Sequence, residues 1–268
     1  CSTKQEQQEL LNIVIVGGGA TGIEVAGILS EMKKFVLPND YPDMPSSLMH
    51  IYLIEAGPRL LAGMSEESSA HAEQFLREMG VNILLNKRVV DYRDHKVVLE
   101  DGTEIATRTF IWVSGVTGVT IGNLDASLIG RGGRIKVDSF NRVEGMNNVF
   151  AIGDQCIQLA DENYPNGHPQ LAQVAIQQGE LLAKNLIRME KGQEMKPFHY
   201  RNLGSMATVG RNRAVAEFSK VKMQGWFAWV MWLVVHLRSI LGVRNKVIVL
   251  LNWVWNYFTY DQSMRMIV

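Results

Sequence analysis

The 268-residue chain is 47% hydrophobic and 20% charged, with 27 Lys plus Arg against 27 Asp plus Glu. That composition excludes a disordered chain, and its balance supplies no global positive field for nucleic acid. Two cysteines without a C-x-x-C pair exclude a disulfide framework and a zinc knuckle, fit a reducing compartment, and leave no metal site to expect.

Residues 1–10 are polar and do not read as a signal peptide. Leu11–Val16 is a β-rich apolar run that enters the glycine cluster of IVIVGGGATGIE, residues 13 to 24. Gly17, Gly19 and Gly22 fit G-x-G-x-x-G: the first allows a tight turn, the second lets backbone approach a phosphate, the third lets a helix pack closely. Ile23–Met32 reads as that helix, whose N-terminus offers free N–H groups and a positive dipole end to a pyrophosphate. Lys33–His50, with Pro38, Pro42 and Pro45, reads as a surface excursion. Ile51–Ile54 is a second strand ending at Glu55, whose carboxylate can accept the adenosine ribose hydroxyls and would repel a 2′-phosphate, favouring NAD over NADP. The strand–turn–helix–strand order is a βαβ unit and calls for a parallel sheet.

Glu24 lies two residues past Gly22, in the first helical turn, where the dipole favours a carboxylate. Beside a phosphate it must point elsewhere, and a rotation of about 100° per residue allows that. A structural role and a place in a catalytic pocket both stay open on this pattern.

Ser65–Met79 reads as a helix, and Asn82–Leu85 and Arg88–Tyr92 as strands. Lys96–Ile105 carries Asp101-Gly102 between alternating apolar residues, a hairpin signal, and Thr109–Val113 is a buried strand ending at Ser114-Gly115. Asn148–Ile152 is expected to be a short buried strand that delivers Gly153 and Asp154 at its carboxyl end, where ligands bind in open α/β sheets. A helix is expected from about Gln170 to Met189. On it Ala172, Ala175 and Gly179 make a narrow face suited to a flat ring or to another helix. Gln173 and Gln177, four apart, offer neutral amides that suit polar atoms such as quinone carbonyls, or are simply exposed glutamines.

Composition shifts near Phe218. Between Phe218 and Tyr260 there is no Asp or Glu, while Lys220, Lys222, Arg238, Arg244 and Lys246 are present, with five of the six Trp. GWFAWVMWLVVHL (225–237) and VIVLLNWVWNYF (247–258) reach about 18 Å each as helices, against roughly 30 Å of hydrocarbon, so neither spans alone. An aromatic, basic, acid-free tail suits an in-plane anchor on anionic lipid, with a buried helical hairpin or a homodimer interface as the competing use.

Together VGGGATGIEVAG, LIEAGPRLL, WVSGV, NVFAIGDQ, AQVAIQQG and the tail resemble the type II (alternative, single-subunit) NADH:quinone oxidoreductases, within the FAD-dependent pyridine nucleotide-disulfide oxidoreductase superfamily. The resemblance implies an α/β fold. A Rossmann-like NADH-binding domain would fill 1–122, with a parallel sheet in three layers and a β-hairpin or meander; part of an FAD-binding domain would fill 123–217, and an amphipathic membrane-associating tail 218–268. It implies FAD and NADH as cofactors, electrons passing to a membrane quinone without proton pumping, and a peripheral place on the cytoplasmic side of the inner membrane. By position Gly17, Gly19, Gly22 and Glu55 would hold NADH, with Ser114 and Gly115 on the nicotinamide side. Gly153 and Asp154 would meet FAD phosphate and ribityl, Ala172 and Gln173 the flavin ring, Gln177 the quinone headgroup, and Glu24 would lie near flavin and quinone. The family carries an earlier G-x-G-x-x-G for FAD, absent from these residues. The sequence is therefore expected to be the C-terminal portion of a longer enzyme that alone binds FAD poorly. A related disulfide or ferredoxin reductase, and an NAD-binding membrane module without catalysis, are the alternatives; the Trp-rich tail argues against the former.

Overall fold

The computed structural model describes residues 3–119, 121–219 and 221–259. Cys1 and Lys220 lie outside the described residues. The chain divides into two compact units, Cys1–Ser114 with Gly204–Val268, and Gly115–Leu203. The sequence expectation sets limits at 122 and 217, whereas residues 204–217 fall in the first compact unit.

In the first unit α1 (Lys4–Leu11) leads into β1 (Asn12–Val16) and α2 (Ala20–Glu31). The chain stays helical through a π segment, Met32–Val36, into α3 (Leu37–Asp40), so the expected excursion starts as an extension of α2. Pro38 sits in the first turn of α3, directly after the π segment, one of the irregularities that accompany proline in a helical run. β2 (His50–Ile54), α4 (Glu66–Glu78) and β3 (Val81–Leu84) follow. Next come β4 (Val89–Arg93), β5 (Lys96–Leu99), β6 (Glu104–Ala106) and β7 (Thr109–Trp112).

The order β3-β2-β1-β7 is a parallel sheet, and β4-β5-β6 an antiparallel meander with Asp101-Gly102 at its second turn. Every residue of β1 is buried, as in a parallel strand covered on both faces. Ile13 and Ile15 face Ile23 and Ala26 of α2 and Leu76 of α4, while Val14 and Val16 face Val97, Leu99 and Ile105 of the meander. The two-residue period of a strand thus builds helices, sheet and meander into three layers.

The second unit holds β8 (Ile135–Val137), β9 (Cys156–Gln158) and α5 (Ala172–Glu190), with β8 and β9 parallel. Asn148–Ile152 is not the strand the sequence suggests. Only Phe150 bridges, to Arg142, and Gly153 at φ +66° then turns the chain into a 3-10 segment, Gly153–Gln155, before β9. Asp154 therefore precedes a strand instead of ending one.

Back in the first unit, β10 (Ser205–Gly210), β11 (Arg213–Phe218) and β12 (Val221–Gln224) form an antiparallel sheet, followed by α6 (Gly225–Ser239) and α7 (Val243–Thr259). One face of this sheet, through Ala207, Val209 and Val215, joins the core of α2 and α4; Ala214 and Ala216 on the other face pack on Ala228 of α6. Gly27 is the closest point of this packing: a Cβ there would overlap the Val209 carbonyl oxygen. Gly27→Ala is expected to destabilise the chain by about 1–3 kcal/mol, read as a lower urea midpoint. An unchanged midpoint would mean that α2 and β10 do not meet this closely.

Candidate functional site

Gly17 closes β1 with φ +118°, and a Cβ there would press on the Val113 carbonyl at 3.0 Å, so the turn needs glycine. A Cβ on Gly22 would overlap the Gly17 carbonyl oxygen, which lets the first turn of α2 sit directly on the strand end. Gly19 differs: it caps α2 without a side-chain hydrogen bond, and a Cβ built there meets nothing within 4 Å. Two of the glycines serve packing, and the third leaves open space before the unpaired N–H groups of the first helical turn.

Glu55 braces this loop. Its Oε2 accepts from the Gly18 N–H at 2.5 Å and its Oε1 from the Gly57 N–H at 2.7 Å, and Leu61 N–H donates to the Gly18 carbonyl at 2.8 Å. Each carboxylate oxygen keeps a further lone pair for a ligand hydroxyl. Ser114 is exposed at the end of β7, its carbonyl accepting from Trp112 Nε1 at 3.1 Å. Gly115, at φ +88°, begins the second unit.

Glu24 turns away from the glycine loop, as its place on the helix allows. Its Oε1 accepts from the Thr208 N–H at 3.4 Å, and about two turns further on Glu31 Oε1 accepts from the Arg211 N–H at 2.5 Å. β10 is an edge strand; Glu24 satisfies a backbone donor within it and Glu31 one in the turn that follows it, with Gly27 between the two carboxylates. Burial pushes the Glu24 carboxyl above the ordinary carboxylate value; the Thr208 N–H and the charge of His236 on α6 offset part of the rise.

In the second unit Asp154 is exposed, and so is Ala172 at the start of α5. The rest of the small face of α5 is used for packing: a Cβ on Gly153 would meet Ala175 Cβ at 3.2 Å, and one on Gly179 would meet Ile152 at 3.7 Å. Gln173 and Gln177 hold a neighbouring segment. Leu203 N–H donates to Gln173 Oε1 at 3.0 Å, while Gln177 exchanges two bonds with the Arg201 backbone, at 2.9 and 3.1 Å.

Gln178, which the sequence reading passes over, is buried and accepts from the Gly153 N–H at 2.7 Å, so it sets the turn carrying Asp154. His168 and Asp161 form a second unforeseen feature, a buried pair at 3.0 Å edged by Tyr164, Phe198 and Tyr200. The hydrogen bond from His168 holds the Asp161 carboxyl below its usual value. No local sequence signal marks either group, because each depends on partners from other elements.

The tail helices expose large apolar side chains: Trp226, Phe227 and Val234 on α6, and Leu251, Trp255 and Phe258 on α7, which buries none of its residues. Trp229 meets Tyr257 at 5.5 Å and Trp232 meets Trp253 at 6.3 Å between the two helices. Among the described residues no helix is long and apolar enough to cross a membrane, and no cluster of residues could hold a metal ion.

A glycine turn under a parallel sheet, with an uncapped helix N-terminus and an acidic strand end, defines a dinucleotide-binding protein of Rossmann type. The model of the pyridine nucleotide-disulphide oxidoreductase family matches residues 2–179, and that of the NDH2 C-terminal domain matches residues 202–260. The chain is 35% identical over 261 residues to the type II NADH:quinone oxidoreductase NdhA of Mycobacterium tuberculosis, covering 92% of this chain and 54% of that one. It is 32% identical over 272 residues to the mitochondrial internal alternative NAD(P)H-ubiquinone oxidoreductase A1 of Arabidopsis thaliana, covering 95% and 52%. A solved NDH2 from Plasmodium falciparum in complex with NADH shares the fold, with a TM-score of 0.87, 19% identity, and coverage of 98% of this chain and 69% of that one. The chain belongs to the pyridine nucleotide-disulphide oxidoreductase family, in its type II NADH:quinone oxidoreductase branch. It spans about half the length of the curated relatives it matches.

The raised Glu24 value has a stability consequence. The folded chain holds this proton more tightly than the unfolded one, so its contribution is full below the unfolded value of about 4.3 and is lost as pH rises through the folded value. Glu24→Gln keeps an acceptor for Thr208 and removes this loss. The variant is expected to unfold at higher urea than wild type at pH 7, the gap closing as pH falls towards 4. A wild type that is the more stable at pH 7 would contradict it.

Proposed function

We propose that the chain is the NADH-binding and quinone-facing portion of a non-proton-pumping NADH:quinone oxidoreductase, held peripherally on the cytoplasmic side of the inner membrane. The observation that carries this reading is one compact unit combining an open, glycine-lined helix N-terminus with a pair of apolar-faced helices too short to span a bilayer. The NADH pyrophosphate would lie before Gly19 on the free N–H groups of α2, where no side chain intrudes. Glu55, already bracing the loop through Gly18 and Gly57, would use its remaining lone pairs on the ribose hydroxyls. Ser114 and Gly115 would flank the nicotinamide.

Gly153, Asp154, Ala172 and Gln173 fit FAD in type: a positive-φ glycine, an exposed carboxylate for ribityl hydroxyls and a small exposed residue beside a flat ring. The chemistry FAD supplies when bound is hydride acceptance from NADH and electron release to quinone. Gln177 retains one N–H and one lone pair beyond its bonds to Arg201, enough to meet a quinone carbonyl. Glu24, with its carboxyl shifted towards the protonated form, can hold a proton for the reduced quinone. The exposed Trp, Leu and Phe of α6 and α7 would sink into the lipid interface, with Arg238, Arg244 and Lys246 at anionic headgroups.

Gly19→Val is expected to cost only about 1 kcal/mol of stability, the loss of a favourable N-cap residue, while weakening NADH binding by about tenfold or more, since it fills the open space without touching the packing. Retained NADH affinity would remove the phosphate from this turn. In the product of the complete reading frame, Gln177→Ala should raise the KM for a soluble quinone more than that for NADH. Absence of NADH oxidation and of bound flavin in that product would defeat the oxidoreductase reading.

A further inference from the structure

Residues 193–204 belong to no helix or strand, yet they lie along α5 in a fixed register. Phe198 and Tyr200 turn inward and are buried, while His199 and Arg201 are exposed, the two-residue period of extended chain. Side-chain amides of α5 supply the pairing that a neighbouring strand would give. Asn185 exchanges two bonds with the Lys196 backbone, at 2.8 and 2.9 Å, Gln177 exchanges two with Arg201, and Gln173 takes the Leu203 N–H. With Oε1 on the Arg201 N–H and Nε2 on its carbonyl, the Gln177 amide has one orientation; a flipped amide would set donor against donor.

The same segment is held at Tyr200, one residue earlier. Asp161 accepts from His168 Nε2 at 3.0 Å, from the Asn163 N–H at 3.0 Å and from the Tyr200 backbone N–H. A carboxylate only accepts, so Nε2 carries the ring proton. His168 Nδ1 meets no partner among the described residues, which leaves the bond to Asp161 as the polar anchor of a fully buried ring. That ring stands edge-on to Phe198, with centroids 5.2 Å apart, and to Tyr200 at 5.9 Å. The imidazole thus packs on both inward residues of the segment and bonds the acid that takes the Tyr200 N–H. Consecutive Cα atoms are about 3.8 Å apart, so a shift at Tyr200 is passed directly to Arg201.

We propose that His168 and Asp161 are positioning residues for Gln177: they hold residues 198–203 in the register that fixes the Gln177 amide, and so set how it meets a quinone carbonyl. Only the meeting with quinone rests on the function proposed above; the hold on the segment stands on the hydrogen bonds.

His168→Phe keeps an aromatic ring among Tyr164, Phe198 and Tyr200 and removes the donor to Asp161, whereas His168→Gln keeps an N–H for that acid. Amide hydrogen exchange of the chain is expected to quicken about tenfold or more at Tyr200, Arg201 and Leu203 in His168→Phe, and to stay near wild type in His168→Gln. Should His168→Phe fail to fold, Asp161→Asn is the second variant. Its amide nitrogen would face one of the N–H donors now bound by the carboxylate, and the same amides should quicken. Wild-type exchange at Arg201 in a folded His168→Phe or Asp161→Asn chain would overturn the hold.

In the product of the complete reading frame, His168→Phe is expected to raise the KM for a soluble quinone about tenfold and to leave that for NADH unchanged. In a Gln177→Ala background the same substitution should change the quinone KM by less than about twofold, because the amide it positions is gone. Equal effects in both backgrounds would overturn the positioning role. A quinone KM unmoved by Gln177→Ala alone would count against the quinone reading of Gln177, and exchange at Arg201 would still decide whether the pair holds the segment.

Discussion

The first unit depends on how closely one helix approaches two sheets. α2 rests on the end of β1 because Gly22 leaves room for the Gly17 carbonyl, and on β10 because Gly27 leaves room for the Val209 carbonyl. Overlap of a Cβ with a backbone oxygen cannot be relieved by a rotamer change, so both positions require the absence of a side chain. Around these contacts the polar groups fall into place: Glu24 takes the Thr208 N–H of an otherwise open strand edge, and Glu31 the Arg211 N–H of the turn that follows it.

That arrangement explains why the tail sheet belongs with the nucleotide-binding layers. Meander, parallel sheet, α2 with α4, tail sheet and α6 follow one another as successive layers, each burying a face of the next. The same helix offers its N-terminus to an anion and its flank to the element that carries the apolar tail. The glycine turn and the apolar tail helices are thereby mounted on one body. Glu24, on that flank, has its carboxyl raised by the very packing that joins the two.

Much of this was legible in the sequence, and what was missed has a physical reason. The glycine spacing, the apolar run before it and the acid after the second strand are local patterns, and the structure brings them together at the adjacent ends of β1 and β2. The Asp101-Gly102 hairpin and both tail helices were equally local. The β10–β12 sheet was not read: Ala207, Ala214 and Ala216 are buried because α2 and α6 come close, and small residues carry little strand signal of their own. Gly27 could have been noticed as an isolated glycine inside a helical pattern, which often marks close packing. Residues 148–152 misled because an apolar run of strand composition lies beside a positive-φ glycine and finds only one bridge. The partners of Glu24, Gln173, Gln177 and Gln178 come from distant segments, so their hydrogen bonds could not be foreseen from spacing.

The central claim is that the uncapped first turn of α2 is the seat of the NADH pyrophosphate. Amide hydrogen exchange of the chain with and without NADH tests it directly. The account predicts that Ala20, Thr21 and Gly22 exchange rapidly in the free chain and are slowed by NADH, while Thr208 and Arg211, already held by Glu24 and Glu31, are protected throughout. Unchanged exchange at residues 20–22 on saturation with NADH would contradict it.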